Sequence, residues 1–213
     1  MGIIEREVYN IMKNIITIQH TQSIHHTNGM VGSWTDWNLS ELGVEQANKI
    51  GEKLAKELKG KQYVMYASDL LRAKHTGEIV AEYLGITPII RQELRERNLG
   101  KCCGKSVQWL RENLEMQEKT IDDRLFSDAE SRRDEWSRLK PLFDEIMNNA
   151  EENIIIVSHG DLLSVFNAMF LGLPVESLNE CELFGMAGGV SFLFETSAGK
   201  RFVKRLSDLS YIM

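Results

Sequence analysis

Short runs of aliphatic and β-branched residues alternate along this 213-residue chain with longer segments of helical periodicity. The clearest runs are Asn-Ile-Ile-Ile-Val at residues 153–157 and Asn-Ile-Ile-Thr-Ile-Gln at residues 14–19. Strands that are apolar on both faces fit best in a sheet that is covered on both sides. The alternation therefore predicts βαβ units and a mostly parallel sheet between helices.

The remaining elements extend this pattern to an α/β fold of three layers, α/β/α. Further strands are predicted at residues 63–67, 89–90, 189–196 and 201–206. The last two are separated by four residues, which predicts an antiparallel hairpin at the sheet edge. Helices are predicted at residues 40–60, 69–84 and 162–171, with Ser40 as an N-cap. We expect one domain over residues 1–213, with a helical insertion at about residues 105–150.

That insertion is rich in charged residues. Its pattern predicts helix over residues 106–150, with Pro141 at a first turn or a kink. The run of charges at residues 122–138 is expected to form a solvated helix face.

The charge balance narrows the classes of partner. The chain has 25 Lys and Arg against 31 Asp and Glu, a formal net charge of −6. This balance disfavours a general nucleic-acid binder or a polybasic membrane-surface protein, since both require summed positive charge. No apolar run reaches the roughly 18 residues that span a bilayer. Residues 1–7 do not show a basic segment followed by an apolar one, so no secretory signal is expected.

Cysteine usage predicts a reducing compartment. Cys102, Cys103 and Cys181 are odd in number and two are adjacent, which does not resemble a disulfide framework. A cytoplasmic location is the expectation. The sequence predicts no particular oligomeric state.

Three polar residues follow predicted strands that are far apart in the sequence. His20 follows the first strand, Arg72 comes shortly after the second, and His159 follows the strand at residues 153–157. Ligands in such sheets bind beyond the carboxyl ends of the strands. We therefore expect two imidazoles and one guanidinium to meet in one crevice.

These three side chains suit phosphoryl transfer. A neutral imidazole is a nucleophile near pH 7, and attack on phosphorus gives a phosphohistidine that water can open. A guanidinium presents a planar fork of donors to phosphate oxygens. A departing alkoxide needs a proton, and Glu93 and Glu96 after the third strand are the candidate donors.

Four segments together resemble the histidine phosphatase superfamily, the group that contains the phosphoglycerate mutase-like phosphatases. The likeness covers nearly the whole chain in the family's order, and each segment falls at a predicted strand end. The segments are Gly32-Ser-Trp-Thr-Asp-Trp-Asn-Leu-Ser-Glu-Leu-Gly43 continuing to Ala47, Ala67-Ser-Asp-Leu-Leu-Arg-Ala73, Leu94-Arg-Glu96 with Gly100 and Gly104, and Val157-Ser-His-Gly160.

The resemblance implies a phosphoglycerate mutase-like fold and a role for each matched residue. His20 would be the phosphorylated nucleophile, and Arg72 and His159 would bind phosphate. Glu96 would be the proton donor, with Glu93 as its rival. The implied reaction uses a small phosphorylated substrate and needs no metal and no cofactor.

The first motif departs from the family's Arg-His-Gly, because this chain has Gln19-His20-Thr21. Gln19 is neutral, so one expected cationic phosphate contact is missing, and weaker phosphate binding or a different substrate should follow. Thr21 either narrows the pocket or offers its hydroxyl to phosphate. The family's Asn falls at His26, and Asn28 stands two residues later. Gln19 and Asn28 are predicted phosphate-binding residues, within a polar cluster of Gln22, His25, His26 and Asn28.

Several other residues have an ordinary structural reading beside the functional one. His25-His26 invites a metal hypothesis, but adjacent histidines diverge and no ligand pattern accompanies them, which favours a solvated loop. His75 is expected on a helix surface. Trp34, Trp37 and Trp109 fit a substrate mouth and ordinary packing equally well.

Three functions follow from these observations. The first is a metal-independent phosphatase that hydrolyses a small phosphomonoester through His20. The second is phosphoglycerate mutase-type phosphotransfer, which Glu96-Arg97 with Gly100 and Gly104 also resembles, although no later basic pair is evident to hold a carboxylate. The third is a catalytically weak phospho-ligand or partner-binding module, which Gln19 motivates.

Overall fold

The computed structural model describes residues 11–183 and 185–213, and contains one six-stranded sheet within that part of the chain. The residues of the secretory-signal prediction, 1–7, lie outside it. The strand order is β3-β2-β4-β1-β5-β6. The strands are β1 (Ile11–Gln19), β2 (Val64–Ala67), β3 (Ile89–Ile90), β4 (Asn153–Ser158), β5 (Val190–Thr196) and β6 (Arg201–Asp208).

The sheet is mixed in the way that the sequence predicts. Strands β1, β2, β3 and β4 pair in parallel, whereas β5 pairs antiparallel with β1 and with β6. The predicted hairpin is confirmed at the edge of the sheet. The α-helices are α1 (His25–Asn28), α2 (Glu41–Glu57), α3 (Leu71–Leu84), α4 (Val107–Asn113), α5 (Arg132–Asn148) and α6 (Gly160–Phe170).

Alternate residues of β4 face opposite helical layers. Ile154 and Ile156 belong to a core that includes residues of α5 and α6. Ile155 and Val157 belong to a second core that includes residues of α2 and α3. All four are fully buried, which is why this strand is an unbroken aliphatic run. The predicted three-layer α/β/α architecture is confirmed.

The helical prediction for residues 106–150 is only partly correct. Helices α4 and α5 lie within this stretch, but residues 114–131 between them are not helical. Local polar contacts hold this segment instead. For example, the Asp123 carboxylate accepts hydrogen bonds from the backbone amides of Lys119 and Thr120. Pro141 lies in the interior of α5 and not in its first turn, where it was predicted as one alternative.

The helix ends follow the chemistry of their residues. Ser40 caps α2, because its hydroxyl oxygen accepts a hydrogen bond from the Gly43 amide at 3.1 Å. No helix in the described part of the chain is long and apolar enough to cross a bilayer.

The register of the sheet brings three strand ends to one place. Gln19 at the end of β1 pairs with Ser158 at the end of β4, and Ala67 at the end of β2 pairs with Val157. The backbone pairing continues one residue further, because the His20 amide donates to the Ser158 carbonyl at 2.9 Å. Side chains that follow β1, β2 and β4 therefore start from neighbouring positions.

Candidate active site

The sequence prediction that His20, Arg72 and His159 meet agrees with the geometry. All three are nearly inaccessible to solvent. The ring centroids of His20 and His159 lie 5.1 Å apart. The Arg72 Nε–H donates to His20 Nε2 at 3.2 Å. Two imidazoles and one guanidinium thus share a buried pocket at the carboxyl edge of the sheet.

Two hydrogen bonds define the tautomer of His20. Its Nδ1 lies 2.8 Å from the Thr21 carbonyl oxygen, which can only accept, so Nδ1 carries the proton. Its Nε2 accepts from Arg72 and therefore holds the lone pair. Burial and the neighbouring Arg72 charge lower the pKa of His20 well below its usual range. His20 is consequently a neutral imidazole with a nucleophilic Nε2 at neutral pH.

Two backbone carbonyls hold the Arg72 guanidinium in place. Its Nη1 donates to the Thr35 carbonyl at 2.9 Å and its Nη2 to the Ser33 carbonyl at 2.8 Å. Burial lowers the pKa of Arg72 to about 10, so the side chain remains cationic at neutral pH. These carbonyls come from the segment between β1 and α2, which explains how a sequence-distant loop orients the cation.

His159 has one ring nitrogen in a hydrogen bond and one that is free. Its Nε2 lies 2.9 Å from the Ser68 hydroxyl oxygen, and its buried Nδ1 has no hydrogen-bond partner among the described residues. If Ser68 donates to Nε2, then Nδ1 carries the proton and is a donor. Burial, followed by the charge of Arg72, lowers the pKa of His159 well below its usual range. With that tautomer, His159 is a neutral ring that offers an N–H donor to an anionic ligand.

Glu96 and Glu93 lie in different surroundings. Glu96 Oε1 accepts hydrogen bonds from the Arg97 amide at 3.1 Å and from the Leu162 amide at 3.2 Å, in the first turn of α6. Burial and the nearby Asp161 raise the pKa of Glu96 to about 7, against the opposing charge of Arg72. Glu93 instead forms a partly exposed ion pair with Arg91. The surroundings of Glu96 suit a proton donor better.

Gln19 and Asn28, the other predicted phosphate-binding residues, point elsewhere. With its amide nitrogen turned towards residues 185–186, Gln19 can donate to the carbonyls of Gly185 and Met186, each at 3.2 Å. Asn28 is exposed at the end of α1, and its side-chain oxygen accepts from the Met30 amide at 3.0 Å. Neither side chain forms a hydrogen bond with His20, Arg72 or His159 in the described structure.

Thr21 uses its hydroxyl for structure. Its Oγ1 donates to the Gly43 carbonyl at 2.8 Å, so of the two predicted alternatives the offer of a hydroxyl to phosphate is wrong. The loop after β1 approaches α2 very closely here. A Cβ at Gly43 would lie 1.9 Å from the Gln22 carbonyl oxygen, which explains the glycine inside a helix.

The pair His25-His26 lies beside His20 in a short helix and not in a loop, but it is solvated as expected, since His26 is exposed and His25 is half-buried. Both residues lie in the one-turn helix α1, and their rings lie 5.9 Å and 5.4 Å from that of His20. The His26 ring is nearly parallel to the His20 ring, at an angle of 9°. Burial, followed by the charges of His26 and Arg72, lowers the pKa of His25 to about 3. Adjacent histidines were expected to diverge, but this single helical turn places both rings near His20.

Each of the three tryptophans has a packing or hydrogen-bonding contact, and Trp34 also lines a surface cavity with Arg91 and Glu93. The Trp34 indole donates to the Glu96 carbonyl at 2.6 Å, and Trp37 donates to the Val31 carbonyl at 3.4 Å. Trp109 stacks on Phe126. His75 is bonded to Asn38 at the surface of α3, as predicted. Within residues 11–183 and 185–213, no group of three or more His, Cys, Asp or Glu side chains has the geometry of a metal site.

Comparison with known proteins identifies the family of this chain. The model of the histidine phosphatase superfamily (branch 1) matches residues 15–208. The 2,3-bisphosphoglycerate-dependent phosphoglycerate mutase of Azorhizobium caulinodans is 29% identical over 195 residues, which are 86% of this chain and 92% of that protein. The glucosyl-3-phosphoglycerate phosphatase of Mycolicibacterium vanbaalenii is 28% identical over 204 residues, which are 88% and 87%.

A solved structure shows the same fold. YhfR of Bacillus stearothermophilus superposes with a TM-score of 0.79 at 23% identity, over 94% of this chain and all of that chain. The phosphoglycerate mutase-like fold expected from the motifs is confirmed. The chain belongs to the histidine phosphatase superfamily.

Proposed function

We propose that the protein is a phosphatase that hydrolyses a small phosphomonoester through a phosphohistidine on His20, without a metal. The observation that carries this proposal is the state of His20: a neutral ring with its Nε2 lone pair beside the Arg72 guanidinium. The Arg72 guanidinium and the unpartnered ring nitrogen of His159 lie beside this nucleophile, where a phosphoryl group would bind. Phosphoryl transfer requires chiefly such positioning and charge stabilisation.

The proposed reaction has two steps. His20 Nε2 attacks phosphorus, the bond from phosphorus to the ester oxygen breaks, and the leaving alkoxide takes the proton of Glu96. Water then gives a proton to the Glu96 carboxylate as its oxygen attacks phosphorus, and the N–P bond breaks. Inorganic phosphate leaves, His20 is again neutral, and Glu96 is again protonated. A pKa of about 7 lets Glu96 serve in both directions.

The direct test replaces the nucleophile. The His20→Ala protein should release no phosphate from a panel of phosphomonoesters and should trap no acid-labile phosphate after quenching. The assay uses metal-stripped protein with a chelator present, and His75→Ala serves as the control for loss of a histidine outside the pocket. Full turnover by His20→Ala would refute the mechanism, and a strict metal requirement would refute its metal independence.

Phosphoglycerate mutase-type phosphotransfer is the second candidate, because the relatives named above include a mutase. Both reactions begin with the same attack by His20, and they differ in whether water or a second hydroxyl receives the phosphoryl group. Incubation with 3-phosphoglycerate separates them. Release of free phosphate supports the phosphatase, whereas interconversion of 2- and 3-phosphoglycerate supports the mutase.

Gln19 motivates the third candidate, a weak enzyme that binds a phosphorylated ligand or partner. Gln19→Arg adds the positive charge that the family's first motif has, next to the nucleophile. If the site lacks that charge, phosphate affinity or kcat/KM should rise by about tenfold, since charge-assisted hydrogen bonds are roughly twice as strong as neutral ones. Gln19→Lys is the matched control, because it adds a positive charge without the planar guanidinium of Arg. No change in either variant would mean that position 19 points away from the phosphate or that the site is already complete without Arg there.

A further inference from the structure

An uncharged groove lies directly beside His20. It has a volume of about 380 Å³ and borders Gln19, Gln22, His26 and Gln46 on one side. His26 connects it to the nucleophile, because the His26 and His20 rings stack 5.4 Å apart. Gln19 connects it again, since this residue immediately precedes His20. The groove is therefore within reach of a group esterified to a phosphate on His20.

Both polar and apolar side chains line the groove. Three side-chain amides, on Gln19, Gln22 and Gln46, supply donors and acceptors. The side chains of Met186, Leu209 and Ile212 supply an apolar wall. Such a mixture fits a ligand that offers both hydroxyl groups and apolar carbon surface.

No Lys, Arg, Asp or Glu is among the groove's described lining residues. Burial, followed by the charge of Arg72, lowers the pKa of His26, so that ring is also neutral at pH 7. The arginines on the Trp34 side of the site are already paired: Arg95 with Asp69 at 2.6 Å, and Arg138 with Glu130 at 2.7 Å. A carboxylate in the groove would lose part of its hydration without gaining a cation.

Resting on the proposed phosphatase activity, we propose that this groove binds the alcohol portion of the substrate and that this alcohol is uncharged and hydroxylated. The substrate class is then the phosphomonoester of a polyol, sugar or similar neutral alcohol. Phosphorylated carboxylic acids are disfavoured. The discrimination comes from the absence of a charged partner for the carboxylate among the described lining residues.

Matched substrate pairs test this directly. Glycerol 3-phosphate and 3-phosphoglycerate are a three-carbon pair in which a terminal alcohol is replaced by a carboxylate. Sorbitol 6-phosphate and 6-phosphogluconate are the corresponding six-carbon pair. We expect kcat/KM to favour the neutral member of each pair by at least about tenfold, measured as phosphate release.

A positive charge placed in the groove should weaken that preference. Met186 is 68% exposed on the groove wall, so Met186→Lys adds a cation without removing a buried contact. The ratio of kcat/KM for the acidic over the neutral substrate should rise about tenfold. Met116→Lys, at an exposed methionine that does not line the groove, is the control for net charge and should leave the ratio unchanged.

The outcomes separate the two proposals. Phosphate release with an equal or greater kcat/KM for the acidic substrates would overturn the groove assignment while leaving the phosphatase intact. The same ratio in Met186→Lys and Met116→Lys would also overturn it. Absence of phosphate release from every substrate would overturn the phosphatase proposal, and the groove assignment with it.

Discussion

His20 owes its chemical state to two neighbours with fixed hydrogen-bonding roles. The Thr21 carbonyl can only accept, and the Arg72 Nε–H can only donate. Together they define which nitrogen carries the proton, and burial keeps the ring neutral. A residue that could donate from Nδ1 or from Nε2 is thus held in the one form that can attack phosphorus.

Glu96 should control the alkaline side of the pH profile. Its raised pKa of about 7 means that the acid form is present below pH 7 and is lost as the pH rises. With an alkyl phosphate, kcat/KM should therefore fall above about pH 7. Glu96→Gln should remove this fall and lower kcat/KM by roughly 10²–10⁴-fold.

Two comparisons isolate proton donation from other effects of Glu96→Gln. With p-nitrophenyl phosphate, whose leaving group needs no proton, the loss should be far smaller. Glu93→Gln is the matched control, and it should keep the alkaline fall because Glu93 belongs to an ion pair with Arg91. If Glu93→Gln abolished the fall and Glu96→Gln kept it, the two glutamates would exchange roles.

The residues of the site were predictable where a strand end locates them. His20 and His159 directly follow buried strands, and Arg72 lies in the first turn of the helix after another, so the topology alone brings them together. The approach of the His25 and His26 rings to His20 was not predictable, because it depends on the orientation of a single helical turn. Asn28 was assigned by its proximity in sequence, and that same turn leaves it exposed.

At the scale of elements, the charged residues at 122–138 are exposed or half-exposed as expected, with the exception of Glu135 in α5. Glu135 is fully buried, and neither of its carboxylate oxygens has a hydrogen-bond partner among the described residues. Arg97 and Arg132, which would neutralise it, both form ion pairs with Asp161, at 3.3 Å and 3.5 Å. Composition does not show which charged residue is buried. Glu135 lies on the same helix face as Leu139 and Leu142, but this spacing predicts its burial only when that face is known to be the buried one.

The stability of Glu135→Gln relative to wild type should increase as the pH rises. Burial, with the charges of Asp161 and Glu96, raises the pKa of Glu135 well above the usual carboxyl range. The native state then binds a proton that the unfolded state releases, so stability falls as the pH increases above about 4.5. The free energy of unfolding of Glu135→Gln relative to wild type should increase by about 1–3 kcal/mol between pH 5 and 7.5, measured with urea.

A control on the same helix separates this effect from general loss of charge. Asp144 is half-exposed and pairs with Lys140 on the solvent side of α5. The stability of Asp144→Asn relative to wild type should vary much less over the same pH interval. An equal loss of stability in Glu135→Gln at both pH values would show that Glu135 is ionised and needed in the native state.

At the scale of the whole molecule, the sequence predicts the layers better than their arrangement. Strand identities follow from local patterns, and the placement of helices on both faces follows from strands that are buried on both sides. The order β3-β2-β4-β1-β5-β6 depends on long-range pairing that no local pattern contains. The groove beside His20 is likewise non-local, because it combines residues 19–46 with residues 185–187 and 209–212.

Because the site joins the ends of three strands, a bound phosphate analogue should stabilise the entire fold. Orthophosphate or orthovanadate at about 100 times its Kd should add about 2.7 kcal/mol to the free energy of unfolding, which corresponds to about 5–10 °C in Tm. Arg72→Ala should abolish this ligand-dependent shift, whatever its effect on the Tm of the free protein. Arg124→Ala, which removes an exposed ion pair with Asp134, should retain the shift. The same shift in Arg72→Ala as in wild type would mean that the anion binds elsewhere.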